Sequence, residues 1–192
     1  MTITIFLAYL LVGVYFVMEQ LQRKTKLALS LQAGQRDRGS SRLLLVSGSI
    51  TIVFLLLAPV LNSWKLGCWG DRTGINWLGI LMMVSGLILR YLAARTLGEF
   101  YTRTLLVTPE QHVIEQGLYR IIRHPGYLGL LIASIGVGLA TANWIVTLII
   151  LVTQLIGLGY RIASEEEMLE AAFGNQYRTY MDKTWRLIPL IY

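Results

Sequence analysis

A chain of 192 residues that is 55% apolar and only 15% charged falls well below the ~25% charge of soluble domains, which excludes an ordinary water-soluble globule. Its net charge is +6, and most of the basic residues sit in two loops and the C-terminal tail, the distribution of a membrane protein and not of a nucleic-acid-binding face. The single cysteine, Cys68, excludes an internal disulfide, and His112 and His124 without a third ligand at suitable spacing exclude a metal centre.

In chain order, the uncharged run Ile3–Met18 lacks a basic leader and a small-residue cleavage site. It reads as a retained first span over about 3–19, not a signal peptide. Loop one is basic, with Arg23, Lys24, Lys26, Arg36, Arg38 and Arg42 against Asp37. A second span over 43–61 leads to a weakly charged loop holding Lys65, Asp71 and Arg72. The third span, 75–95, carries Arg90 and Arg95 near its end, where arginines either snorkel to the interface or line a pocket. The stretch from Arg90 to Arg123 is basic again, so positive-inside bias puts loops one and three and the C-terminus in the cytoplasm and the N-terminus outside.

That topology requires an odd number of spans. As one helix, Gly126–Tyr160 would be about 50 Å long against a ~30 Å hydrocarbon core. The segment Ala140-Thr141-Ala142-Asn143 supplies a turn. Two short, closely packed helices, 126–141 and 144–160, complete five spans, with Gly129, Gly136, Gly138, Gly157 and Gly159 allowing close backbone approach. From Arg161 the tail is different: Leu169, Ala172, Phe173, Tyr177 and Tyr180 recur at helical spacing. They predict an amphipathic cytoplasmic helix interrupted near Gly174 and lying against the membrane or loop three. Trp185, Leu187 and Ile188 anchor it before Pro189. The fold class is all-α and polytopic, in one domain over 1–192.

Two polar clusters bracket the last hydrophobic block. In the first, Arg123-His124-Pro125 places His124 near a helix N-terminus, because residues before proline avoid helical geometry and proline suits the first turn. Helix N-termini attract anions, and Arg123 adds a charge. A basic flank that merely stops a span has the same composition. In the second, Arg161 and Glu165, and likewise Glu166 and Glu170, are four residues apart and share helical faces. Either this is a solvated face with an intrahelical pair, or Glu165 accepts hydrogen bonds from a ligand while Arg161 holds an anionic acceptor. No nucleophile elbow and no dinucleotide fingerprint is present.

The pattern Gly117-x-Tyr119-Arg120-x-x-Arg123-His124-Pro125-x-Tyr127-x-Gly129, a hydrophobic hairpin, Arg161-x-x-x-Glu165-Glu166-x-x-Leu169-x-x-x-Phe173-Gly174-x-x-Tyr177-x-x-Tyr180 and Arg186-Leu187-Ile188-Pro189 resembles the isoprenylcysteine carboxyl methyltransferase family. The broader group includes membrane phospholipid methyltransferases. The resemblance covers about 107–189. It implies an integral-membrane enzyme using S-adenosylmethionine (SAM), with a cytoplasmic cofactor pocket lined by Gln111, His112, Val113, Ile114, Tyr119, His124, Pro125, Gly126, Tyr127 and Glu165. Arg161 would face the methyl acceptor, so that Arg161 and Glu165 carry the catalysis. At Gly126, where relatives can have a larger residue, only backbone remains for contact.

The resemblance implies a lipophilic acceptor, first of all the carboxylate of an isoprenylated cysteine, entering from the membrane lipids. A phospholipid amine or a small thiol is the alternative. A sterol-type reductase using NADPH shares a similar hairpin and tail, but a phosphate-rich cofactor calls for more basic pocket residues than Arg120 and Arg123. A non-catalytic membrane scaffold is the remaining class.

Overall fold

The computed structural model describes residues 3–22, 37–69, 73–101 and 112–190. Its helices are α1 (Ile3–Gln22), α2 (Ser40–Ser63), α3 (Thr73–Leu97), α4 (Pro125–Ala140), α5 (Trp144–Phe173) and α6 (Asn175–Lys183), with 3-10 turns at Gly98–Phe100 and Gly117–Arg120. Among the described residues the only β-pairings are two isolated bridges. Helices α1, α2, α3 (continued by the first 3-10 turn) and α5 are long and apolar enough to cross a membrane. Helix α4 is equally apolar but has 16 residues, about 24 Å at 1.5 Å per residue. The outer surface is apolar, with Phe6, Leu10, Leu56, Leu81 and Ile156 all more than half exposed, as a face turned to lipid requires.

Helix α4 is central and packs most extensively on α3. Two glycine pairs seven residues apart explain the close approach. A Cβ on Gly79 would lie 2.7 Å from the carbonyl oxygen of Gly136, and one on Gly86 would lie 2.5 Å from that of Gly129. Without side chains at these four positions the backbones touch, which is how helices associate where lipid offers no hydrophobic drive. The predicted partner of Gly129 and Gly136 was the other arm of the hairpin, and the structure corrects this to α3. Only Gly138, against Thr147, serves the hairpin; Gly157 meets Ser47 of α2, and nothing lies within 4 Å of Gly159. Ala8, Leu55, Met83, Val137 and Ile150, one from each of α1 to α5, form the central core.

The hairpin turn falls where the sequence placed it. Ala142 takes φ +58, and Asn143 caps α5 by accepting from the Val146 N–H at 3.1 Å. The same side chain donates to the Leu66 carbonyl at 2.7 Å and to Asn62 Oδ1 at 2.8 Å. Trp69 N–H donates to the Ala142 carbonyl and Trp144 N–H to that of Gly67. The α2–α3 loop and the hairpin turn therefore close one end of the bundle with neutral hydrogen bonds.

The second arm differs from the expected short span with a separate tail. Helix α5 runs 30 residues without a break, about 45 Å, because nothing before Gly174 interrupts it. Gly174, at φ +53, breaks the helix as expected and starts α6. Helix α6 then docks on the segment before α4: Tyr177 and Tyr180 are buried, and the Tyr180 hydroxyl donates to the Tyr119 carbonyl at 2.8 Å. Beyond α6, Arg123 N–H and His124 N–H donate to the carbonyls of Trp185 and Arg186, and Leu187 inserts among Leu131, Leu158 and Ile162. Trp185 stays partly exposed.

Candidate active site at the Arg-His-Pro end of the bundle

Charged residues gather at the end of the bundle opposite the hairpin turn. Arg161 lies about 26 Å along α5 from Trp144 at 1.5 Å per residue, near the boundary of a ~30 Å hydrocarbon core. The acids that follow it on α5 point in different directions, as a 100° step between residues requires. Glu165 Oε2 accepts from the Tyr127 hydroxyl at 2.5 Å. Glu166 faces inward, and Glu167 faces outward to Arg38 at 2.8 Å.

Tyr127 joins the two residues that the sequence singled out on α5. Its hydroxyl receives Arg161 Nε at 3.0 Å and donates to Glu165. The four-residue spacing of Arg161 and Glu165 thus carries a bridging phenol. The main counter-charge of Arg161 is one that sequence reasoning missed. Arg161 Nη1 donates to Asp37 Oδ1 at 3.0 Å, Ser40 Oγ at 3.2 Å and Ser41 Oγ at 2.6 Å. Both Asp37 and Arg161 are 3% exposed. Burial pushes the Asp37 carboxyl up, but the Ser41 and Ser40 hydroxyls, the Ser41 N–H and the Arg161 charge outweigh it and hold it below its ordinary value.

His124 is the N-cap residue of α4 with Pro125 in the first turn, as the sequence predicted. Its ring is buried and lies 5.6 Å from the Tyr127 ring in a stacked arrangement. The positive charge beside it has an internal partner. Glu166 Oε1 takes Arg123 Nε at 2.8 Å and lies 3.3 Å from His124 Nε2, while Arg186 Nη2 sits 2.6 Å from Oε2. Arg123 also donates to the carbonyls of Met181 and Thr184. Arg123 is therefore committed to tying α5, α6 and the tail to the helix start, not held open for a ligand anion.

Tyr119 is buried in the second 3-10 turn. Burial, then the nearby Glu165 charge, raises its phenol well above the usual range, so it stays protonated as a donor. Pro125 is buried, and a Cβ at Gly126 would meet only Ala93 Cβ, at 3.7 Å. The Gly126 carbonyl, expected to be available to a ligand, instead accepts from Arg90 Nη1 at 3.0 Å. His112 stacks edge-on against Phe100 at 5.4 Å. Val113 and Ile114 continue toward the 3-10 turn in non-regular backbone, and Gln111 lies outside the described residues.

Arg90 neither snorkels nor stands alone: its Nε donates to Glu19 Oε1 of α1 at 2.7 Å. The Tyr101 hydroxyl donates to the same oxygen at 2.7 Å. The guanidinium lies 5.6 Å from the Tyr15 ring centroid and 5.8 Å from that of Tyr101, within cation–π range. A groove of about 1190 Å³ between α1 and α3 ends beside this cluster, with Val14, Leu21, Tyr91 and Tyr101 in its walls.

These features define a polytopic, all-helical membrane protein whose buried charges converge at one end of the bundle. Residues 77–171 match the model of the isoprenylcysteine carboxyl methyltransferase (ICMT) family, the family that the motifs resemble. A probable protein-S-isoprenylcysteine O-methyltransferase of Oryza sativa subsp. indica is 33% identical over 119 residues, covering 61% of this chain and 62% of the relative. The protein-S-isoprenylcysteine O-methyltransferase of Dictyostelium discoideum is 33% identical over 128 residues, 60% of this chain and 50% of that one. The chain thus spans half to three fifths of the length of these relatives. A solved structure of the eukaryotic intramembrane Ras methyltransferase ICMT superposes with a TM-score of 0.63 at 23% identity, covering 76% of this chain and 52% of that one. It shares the fold. A methyltransferase family implies a methyl donor.

Proposed function

We propose that residues 1–192 form one integral-membrane methyltransferase unit that moves a methyl group from SAM to a lipophilic acceptor, foremost the carboxylate of an isoprenylated cysteine. The observation that carries this reading is the Arg161–Tyr127–Glu165 chain of hydrogen bonds, which sets a cation and an acid one helical turn apart beside the stacked His124 and Tyr127 rings. The names of the relatives support the choice of acceptor.

The residues present fit SAM. A partly exposed Glu165 is suited to ribose hydroxyls, and the aromatic wall of Tyr119, His124 and Tyr127 to a flat adenine. Gln111, His112, Val113, Ile114, Pro125 and Gly126 would complete the pocket, whose cytoplasmic placement, with the N-terminus outside, follows the charge distribution. When bound, SAM supplies a methyl group on a sulfonium. A carboxylate acceptor needs no general base; Arg161 holds it by a charge-assisted bond, and the apolar bundle excludes water around it. Holding the reactants in line supplies most of the acceleration. A reductase is disfavoured because Arg123, one of two basic residues available to NADPH phosphates, is committed to Glu166.

The test is incubation of purified protein with methyl-labelled SAM and three acceptors: a farnesylated cysteine analogue, phosphatidylethanolamine and a simple thiol. Label in the farnesylated analogue is the expected result. Label only in the amine or the thiol moves the assignment to that acceptor. No SAM binding and no transfer to any acceptor ends the methyltransferase reading.

A further inference from the structure

Arg161 already holds a carboxylate. Asp37 accepts Arg161 Nη1, the Ser40 hydroxyl at 2.8 Å, the Ser41 hydroxyl at 2.8 Å and the Ser41 N–H at 3.3 Å. These donors come from the first turn of α2 and from α5 and converge on Oδ1, with the Ser41 N–H also 3.3 Å from Oδ2, so that together they form a buried seat for a carboxylate. The occupant sits on a short strap. Arg38 and Gly39, which follow Asp37, both have positive φ, +45 and +83, and for arginine this is a sparsely populated conformation. The strap is held down on α5 by Arg38 to Glu167 at 2.8 Å and by the Tyr160 hydroxyl to the Arg38 carbonyl at 3.0 Å. The Arg38–Glu167 pair is largely exposed and correspondingly weak. Asp37 lies outside the segment that the family model matches.

A second carboxylate brought to Arg161 while Asp37 and Glu165 remain beside it would meet one positive and two negative charges, and the attraction would be largely cancelled. An acceptor carboxylate gains the full charge-assisted bond only by taking the place of Asp37. We propose that Asp37 is a specificity-determining residue of the acceptor site: its side chain fills a carboxylate seat, and the acceptor's terminal carboxylate replaces it there on binding. Ser40 and Ser41 then donate to the incoming group as they do to Asp37. The exchange discriminates substrate from product. Transfer forms a bond between a carboxylate oxygen and the methyl carbon and breaks the sulfonium–methyl bond, leaving a neutral ester and a neutral thioether. An ester carries no full charge with which to compete for a guanidinium, so Asp37 returns and the product is released.

The proposal rests on the methyltransferase reading but is judged by binding, so the two fail separately. The full chain in detergent is titrated with a farnesylcysteine analogue bearing a free carboxylate, and in parallel with its methyl ester. Asp37→Asn keeps the shape of the seat and removes the competing charge. It is expected to bind the carboxylate about tenfold more tightly while ester affinity changes less than about twofold. In transfer assays KM falls and kcat holds. Glu167→Gln, which loosens the strap from an exposed position, is expected to tighten carboxylate binding about two- to threefold, and it decides the matter if Asp37→Asn does not fold. Carboxylate affinity that is unchanged or weaker in the folded variant, or an ester that gains as much as the carboxylate, overturns the proposal. If the wild type binds the carboxylate but transfers no methyl group to it, the prenylcysteine assignment falls while the Asp37 exchange stands or falls on the titrations.

Discussion

The two ends of this helical bundle are closed by different chemistry. At the hairpin end, Asn62, Asn143 and the α2–α3 loop meet through neutral amides. At the other end, Asp37, Arg123, Arg161, Glu166 and Arg186 meet through charges that are mostly buried. A neutral closure depends little on pH, ions or a charged ligand, and it serves only to fix the helices. A charged closure costs desolvation that packing alone would not require, and it responds to any charged molecule that enters. Under the proposed function, structure belongs to one end and chemistry to the other, although the same helices run through both.

The largest effect is expected from Glu166→Ala, which leaves Arg123 and Arg186 beside His124 without their shared acid. Removing one partner of a buried pair costs about 3–5 kcal/mol. Thermal unfolding should show a loss on that scale together with loss of SAM binding, because the helix start at His124-Pro125 loses its tie to α5 and the tail. Asn143→Ala is the matching cut at the neutral end. It removes a cap and the hydrogen bonds to Asn62 and to the Leu66 carbonyl of the α2–α3 loop, about 2 kcal/mol, and the folded fraction should bind SAM as the wild type does. A drop in SAM affinity for Asn143→Ala would break the division between the ends.

Tyr127→Phe deletes only the hydroxyl between Arg161 and Glu165. Methyl transfer should fall about tenfold with little change in melting temperature, in keeping with the worth of one charge-assisted hydrogen bond. The smallest effect is on pH. Asp37 is held below its unfolded value near 3.9, so its contribution to stability is complete above that value and is lost as pH falls through the folded value. Melting curves between pH 6 and pH 3 should drop more steeply for the wild type than for Asp37→Asn.

Much of this was legible in the chain. Long uncharged runs marked the helices, and Ala140-Thr141-Ala142-Asn143 marked the turn, because composition and turn chemistry are local signals. The continuity of α5 through Arg161 and Glu165–Glu167 was not legible. Charges after an apolar run read as the end of a span, whereas here each finds a partner along one unbroken helix. The Arg-His-Pro motif drew attention to Arg123, but its partner Glu166 is 43 residues away and was distinguishable from its neighbours Glu165 and Glu167 only by the direction it faces. Asp37 was missed because a lone acid in a basic loop, 124 residues from Arg161, has no pattern in sequence. Glu19 and Arg90 did leave a signal. Both sit at the ends of spans that must finish on the same side, and charges stranded at one depth tend to pair.

The most direct measurement is the dissociation constant of labelled SAM for the wild type, Glu165→Gln and Asn143→Ala in one preparation. The expected result is saturable binding by the wild type, at least tenfold weaker binding by Glu165→Gln, and wild-type binding by Asn143→Ala. Equal affinity in the wild type and Glu165→Gln, or no SAM binding by the wild type, would contradict a methyl-donor site at the charged end of the bundle.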